Sequence, residues 1–373
     1  MNLFFFLVFG LYFVAMLLLL TGWQQALAGK SLLRPEAFSF RKITIVIPFR
    51  NEEACIANVI HDIIGQDYRP ESVEVILVDD HSADRSSEIV TRSISGRMQF
   101  RCVSLPEGKE GKKQAITQGI GLAGGEFIIT TDADCRFSKH WLQSMLLSFH
   151  DVNARMVFGG VRMKDDKSFF SKIQALEFCS LIGAGAAMAG LGIPVLCNGA
   201  NLAFLKSAFL EVNGYEGNMG IASGDDEFLM DKINRRYPGS ISFQAEGHSV
   251  VETRPMKSLS EFVDQRLRWA GKWKHSVSGI SQLTAVFILV VQASLLVLWF
   301  APLLNWISGL LAILLIAVKM IFEFTFLFQV STFLRVKQRP FHFLALQFLY
   351  PFYVIYIGLA SLVISPAWKG RRG

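Results

Sequence analysis

Four stretches of this chain run for eighteen residues or more with almost no charge, and each must sit somewhere other than water. Leu3 to Leu20 and Leu283 to Leu304 carry no charged residue, Ile307 to Val330 is interrupted by Lys319 and Glu323, and Phe341 to Ile364 contains Pro351. A helix needs about 20 apolar residues to cross a hydrocarbon core, so all four are candidate spans. They do not account for the whole chain. Of its 373 residues 51% are hydrophobic and 18% charged, with mean hydropathy +0.37, too apolar for an ordinary soluble enzyme and too charged for spans alone. The expected division is an anchor over residues 1–22, a soluble domain over 41–275, and a membrane region over 281–366 with about three hydrophobic segments.

Ala26-Leu27-Ala28 looks like a signal cleavage site, but no basic residue precedes the apolar run and that run is too long for a signal core, so it reads as a retained anchor. Lys30, Arg34, Arg41 and Lys42 follow closely. The positive-inside rule then puts the soluble domain in the cytoplasm, at the cytoplasmic (inner) membrane. Three C-terminal spans place the tail "WKGRRG" outside, against the same rule, whereas "RVKQRP" at 335–340 suits the cytoplasmic side. Five cysteines without metal-ligand spacing fit a reduced compartment, with neither a disulfide framework nor a zinc site. Net charge +6 does not indicate nucleic acid, because the basic residues gather around the spans or in single loops. Anionic lipid headgroups and phosphate-bearing substrates suit that distribution better.

Between anchor and spans, strand-like and helix-like runs alternate. "ITIVI" (43–47), "VEVILV" (73–78), "FRCVSL" (100–105) and "EFIITT" (126–131) read as strands. Helical patterns cover 52–66, 85–94 and 112–122. This alternation predicts an α/β, Rossmann-like domain with a mainly parallel sheet, in which ligands sit beyond the carboxyl ends of the strands. Polar clusters fall at those ends: Pro48, Arg50, Asn51, Glu52 and Glu53 after the first strand, Asp79, Asp80, His81 and Ser82 after the second, Asp132 and Asp134 after the fourth. No glycine-rich phosphate loop is present. A nucleotide here needs another neutraliser, and a divalent cation on the carboxylates supplies one.

Each cluster also has a plain structural reading. An Asp-x-Asp caps a loop as readily as it holds a metal, Asp79-Asp80 suits a turn, and Lys112 suits a solvated helix start. Asp225, Asp226 and Glu227 complement a helix dipole in a first turn. Clustered carboxylates also raise a pKa, as a general base near neutrality needs. "NGANLAF" (198–204) lies between a small-residue stretch and a helix. Ser258 and Glu261 make a capping box, after which Gln265, Arg268 and Trp269 share one helical face. With Lys272 and Trp273, that face would also suit a membrane interface.

Taken in order, "IPFRNEE", "VDDHSAD", "GKKQA", "TDADC", "NGANLAF", "GDDEFL" and "QRLRW" resemble the membrane-bound family 2 glycosyltransferases, a group that includes cellulose, chitin and hyaluronan synthases and ceramide glucosyltransferase. The resemblance covers roughly residues 43 to 275 and implies a GT-A type nucleotide-sugar-binding fold. It implies nucleotide contacts at Pro48, Arg50, Glu52, Asp79 or Asp80, Lys112 and Asp132. It also implies Mg²⁺ or Mn²⁺ on Asp132 and Asp134, the latter most directly. The base falls on Asp226, but the family's Glu-Asp is Asp225-Asp226 here, so Asp225 stays open. Gln265, Arg268 and Trp269 match unchanged and line the site near diphosphate and acceptor in relatives. The implied reaction is inverting transfer from a nucleotide-diphosphate sugar, UDP-linked by preference, to a lipid-linked or growing polysaccharide acceptor among membrane lipids. A ceramide-type lipid glucosyltransferase, a silent nucleotide-sugar-binding scaffold and a nucleotidyltransferase are the competing readings.

Overall fold

The computed structural model describes residues 2–28, 41–151, 153–221, 223–272 and 279–364, with the backbone of 367–368 and 371–372. Lys30, Arg34, Trp273 and the side chains of the tail lie outside the described residues. The strands are β1 (Ile43–Phe49), β2 (Val73–Asp79), β3 (Phe100–Ser104), β4 (Phe127–Thr130), β5 (Met156–Gly159), β6 (Val161–Met163), β7 (Leu202–Leu205), β8 (Ile241–Gln244) and β9 (Val251–Thr253). Seven of them form one sheet in the order β3-β2-β1-β4-β7-β5-β8, and β6 pairs with β9 in a small parallel ladder. Within the large sheet only β7 runs against its neighbours.

The sequence explains the centre of this sheet. Every residue of β1 is buried, as a β-branched strand covered on both faces must be, and it pairs with β2 from Ile43↔Val73 to Phe49↔Asp79. The chain leaves β1 through helix α2 (Ile56–Ile64), whose Ile56, Val59, Ile60 and Ile63 are buried, to reach β2 on one side; β4 returns to the other side. The carboxyl ends of β1 and β4 therefore flank the point where strand order reverses, where an open α/β sheet offers its binding crevice. Helices α3 (Ser86–Ile94) and α4 (Lys112–Leu122) form as expected. Two local expectations shift. Residues 52–55 make a turn closed by Glu52 O before α2 begins, and the end of "NGANLAF", not assigned to a strand from the sequence, enters β7 at Leu202.

The long helices are α1 (Asn2–Ala28), α6 (Phe169–Gly190), α10 (Gly279–Phe300), α11 (Gly309–Phe333) and α12 (Pro340–Ala360); shorter ones are α5 (Trp141–Leu146), α7 (Lys206–Glu211), α8 (Asp225–Arg236) and α9 (Leu259–Gly271). The five long helices are each long and apolar enough to cross a membrane. Of these, α6 is a different case from the other four. It is 61% buried, and both its ends join strands of the soluble part, so a full crossing would need residues 191–201 to return through lipid as irregular backbone with unmet hydrogen bonds. It is better described as a core helix. The hydrophobic core is continuous across the two parts: Trp23 of α1 packs on Phe243 of β8 and Phe333 of α11. Gly22 and Gly190 let α1 and α6 touch at backbone distance. A Cβ on Gly190 would lie 2.1 Å from the Gly22 carbonyl oxygen, the small-residue approach that apolar helices use to pack.

Candidate active site

The turns after β1 and β2 are one structure. Arg50 Nη1 donates to the Asp80 carbonyl (2.8 Å), the Asn51 N–H to Ser82 Oγ (3.1 Å) and the Glu52 N–H to Ser86 Oγ (2.7 Å), while Asn51 Oδ1 accepts from the Ala83 N–H (2.8 Å). Asn51 adopts φ +53°, a left-handed turn that asparagine tolerates. This lacing separates the two aspartates left open by the sequence. Asp79 is consumed locally, its carboxylate accepting from the Ser82 N–H (2.9 Å) and the Ser87 hydroxyl. Asp80 lines the main cavity and accepts from the Gly111 N–H (3.1 Å) at the start of α4.

That cavity has a volume of about 680 Å³. Pro48, Arg50 and Glu52 enter it from the β1 turn, Asp132 and Asp134 from the end of β4, Asp225 and Asp226 from the start of α8, and Gln265, Arg268 and Trp269 from α9. Lys112 lies between the acids, its Nζ 2.7 Å from Asp132 Oδ1 and 3.1 Å from Asp225 Oδ2. Burial works against its charge, but Asp132 and Asp225 outweigh burial and hold the ammonium well above the ordinary lysine range. The expected effect of clustering on basicity divides between the acids. Burial raises Glu227, which Lys272 answers at 2.6 Å, whereas at Asp225 burial is outweighed by Lys112 and the carboxyl falls below its ordinary value. Burial lowers Arg268, against the pull of Asp132, Asp225 and Asp226.

Asp226 is held by backbone. Its Oδ2 accepts from the Gly199 N–H (2.9 Å) and its Oδ1 from the Glu227 N–H (2.8 Å). A Cβ on Gly199 would lie 3.0 Å from Asp225 Oδ2 and 3.3 Å from Lys112 Nζ, so a side chain there would press on the ion pair of Lys112 with Asp225. The loop is fixed from below by Thr131 Oγ1, which donates to the Ala200 carbonyl (2.8 Å). Gly224, at φ +77°, then turns the chain into α8.

Residues that sequence reasoning passed over complete the site. Thr253 of β9 donates to Asp134 Oδ2 (3.0 Å), tying the turn after β4 to a strand far along the chain. Lys113 sits beside Lys112 but points away, its buried Nζ donating to the carbonyls of Asn218 and Ile221 (2.8 Å each) and Ser223 (3.1 Å). It pins the turn that leads to Asp225. Burial pushes its ammonium down from 10.5 to about 8, although Asp225 and Asp226 pull upward. Between about pH 8 and 10.5 the unfolded chain therefore holds the extra proton, and this group makes folding stability rise with pH; below about pH 8 it is charged in both states and gives no slope. Lys113→Met is expected to remove that rise, so the variant's thermal midpoint should fall relative to wild type as pH climbs through the window. A constant difference would mean that Lys113 titrates as a free lysine.

Among the described residues, no group of three or more His, Cys, Asp or Glu side chains could hold an ion unaided. The donor set at the end of β4 is two carboxylates one residue apart. Oxygen ligands of this number suit Mg²⁺ or Mn²⁺, which bind through one or two carboxylates and take their remaining ligands from water and substrate phosphates.

Residues 44–209 match the family described as Glycosyl transferase family 2. Over that stretch the chain matches a family 2 glycosyltransferase domain. The match takes in the site residues from Pro48 to Asp134, while Asp225, Asp226 and the α9 face lie beyond it. The glycosyltransferase domain also has curated relatives. The chain is 27% identical over 230 residues to the poly-beta-1,6-N-acetyl-D-glucosamine synthase of Staphylococcus aureus, covering 61% of this chain and 53% of the relative. It is 30% identical over 139 residues to glycosyltransferase GlyG of Streptococcus pneumoniae, covering 37% and 45%. The chain thus spans about half the length of the curated relatives it matches. In fold, it resembles the mannosyltransferase PcManGT of Pyrobaculum calidifontis, solved with GDP-Man and Mn²⁺, at TM-score 0.59 and 16% identity over 96% of this chain and 99% of that one.

Proposed function

We infer that the protein is an inverting, divalent-cation-dependent glycosyltransferase of a cytoplasmic membrane face, moving a sugar from a nucleotide-diphosphate donor, by preference a UDP-sugar, to a lipid-linked or growing polysaccharide acceptor. The observation that carries this reading is the meeting of Asp134, Lys112, Asp226 and Arg268 around one cavity at the strand-order reversal. Similarity to a polysaccharide synthase in sequence and to a mannosyltransferase in fold supports this reading.

The roles follow from the chemistry. Arg50, Glu52 and Asp80 border the nucleotide end of the crevice, and Asp132 and Asp134 are the residues that would hold Mg²⁺ or Mn²⁺ against the diphosphate. The ion, when bound, supplies charge neutralisation to the leaving group. Arg268 adds a fixed positive charge where negative charge grows. The acceptor hydroxyl attacks the anomeric carbon opposite the diphosphate and passes its proton to Asp226. The bond to the phosphate oxygen breaks with its electron pair leaving on the diphosphate, and a single in-line displacement inverts the anomeric centre. Lys112 keeps Asp225 ionised and acceptor-only, which favours Asp226 as base.

The acceptor side has its own signature. Phe178, Leu181, Ile182 and Gly185 of α6 form one cavity wall that offers no hydrogen-bonding side chain. This favours a lipid-linked acceptor over a free glycan, whose hydroxyls would be desolvated there without partners.

The test is nucleoside diphosphate release by the protein in lipid nanodiscs across UDP- and GDP-sugars, with Mg²⁺, Mn²⁺ or EDTA, and with or without crude membrane lipid. We expect release with one donor, lost with EDTA and stimulated by lipid, with label appearing in a lipid-extractable product. Saturable nucleotide binding without release would support the silent scaffold instead.

A further inference from the structure

The α9 motif contains a residue that its cavity-facing members do not account for. At 3.6 residues per turn, Arg266 lies about 200° around the helix from Arg268, and its guanidinium is buried on the side facing the long helices. It forms a two-point ion pair with Glu177 of α6, Nε to Oε1 at 3.1 Å and Nη2 to Oε2 at 2.5 Å, with side-chain exposures of 3% and 4%. The Tyr353 hydroxyl of α12 donates to the same Glu177 Oε1 (3.2 Å). The remaining arm, Nη1, donates to Gln265 Oε1 (2.5 Å). The guanidinium carbon Cζ lies over the Trp269 ring, 4.3 Å from its centroid, and over the Phe262 ring, 4.5 Å from its centroid.

We propose that Arg266 is a positioning residue for transfer, through which Glu177 on α6 and Tyr353 on α12 set the orientation of Gln265 and Trp269 in the cavity. The proposal rests on the transferase reading above. Arginine has no acceptor, so its contact fixes Gln265 with the carbonyl oxygen toward Arg266 and leaves the amide nitrogen as the end free to face the cavity. Stacking fixes the tilt of Trp269. Two of the three residues on the reacting face of α9 are thus oriented by one guanidinium, itself clamped in a plane by a carboxylate fork. A lysine would supply the charge without fork or plane.

Stability alone is a poor reason for such a pair. Replacing both members of a buried ion pair by apolar residues of similar volume is often neutral, because the cost of desolvating both charges disappears with their attraction. That fact gives the experiment. In Glu177→Leu/Arg266→Met no charge is left unpaired, so thermal midpoint and nucleoside diphosphate affinity should stay near wild type. We expect kcat for transfer to fall about tenfold to 10²-fold, as displaced reacting groups do, with donor KM unchanged. Tyr353→Phe should lower kcat in the wild-type background and add nothing in the double variant. A double variant with wild-type kcat overturns the proposal, as does a loss of kcat that tracks a loss of thermal midpoint and donor affinity together. Should the double variant not fold, Tyr353→Phe carries the test, and wild-type kcat in that variant overturns it. Absence of donor turnover by the wild-type protein overturns the transferase reading itself, and this proposal with it.

Discussion

Asp226→Asn is expected to cut sugar transfer by about 10²- to 10⁴-fold, the range a positioned general base supplies, while leaving donor affinity within a few-fold of wild type. Asparagine can still accept from the Gly199 N–H, so the 198–201 loop should keep its place. What it cannot do is take the proton. Asp225→Asn should behave differently, because Asp225 is the partner of Lys112 at 3.1 Å. Its loss leaves the partly buried ammonium with Asp132 as its one close ion-pair partner, and the expected signature is weaker donor binding together with slower turnover. Steady-state kinetics of the two variants, with donor and acceptor varied separately, decide between them. If Asp225→Asn alone removed turnover while Asp226→Asn kept it, the base would be Asp225.

Asp134→Asn, or EDTA with the wild-type protein, is expected to reduce transfer by about 10²-fold or more, since charge neutralisation at the leaving group is worth several kcal/mol and each factor of ten is about 1.4 kcal/mol. The variant should also need far more Mn²⁺ for half-maximal rate. Asp132→Asn should add a second effect, release of Lys112 from its 2.7 Å ion pair, so its metal requirement and donor affinity should change together. Rates against Mn²⁺ concentration for the three proteins check this. Full metal-dependent turnover by Asp134→Asn would falsify the assignment.

The parts of this architecture that the chain announces are those written in local periodicity. β1 and β2 are unbroken β-branched runs, α2 has its apolar spacing, and the polar clusters follow the strands, so the residues that line the crevice at the ends of β1 and β4 could be placed from the sequence. β7 could not, because "LAFL" is too short for alternation to speak and its role depends on pairing with β4 and β5 across long stretches of chain. Lys112 and Lys113 are indistinguishable as letters; only tertiary structure sends one to Asp132 and the other to three carbonyls. Asp79 and Asp80 divide the same way, since the lacing of two turns, and not the identity of either residue, decides which one faces the cavity. Glu177 was hidden for a related reason. A single carboxylate in an apolar helix has meaning only once Arg266 is seen opposite.

The backbone contact between Gly22 and Gly190 makes the catalytic half impractical to prepare by truncation. A fragment of residues 41–272 would lose α1 from one flank of α6 and α11 from another, where Gly183 meets Val330. It would present to solvent a stripe of alanine, glycine and leucine that has no polar alternative. Such a fragment should collect in inclusion bodies and bind ANS after refolding, and a soluble enzyme from this chain would need that stripe redesigned before any span is removed.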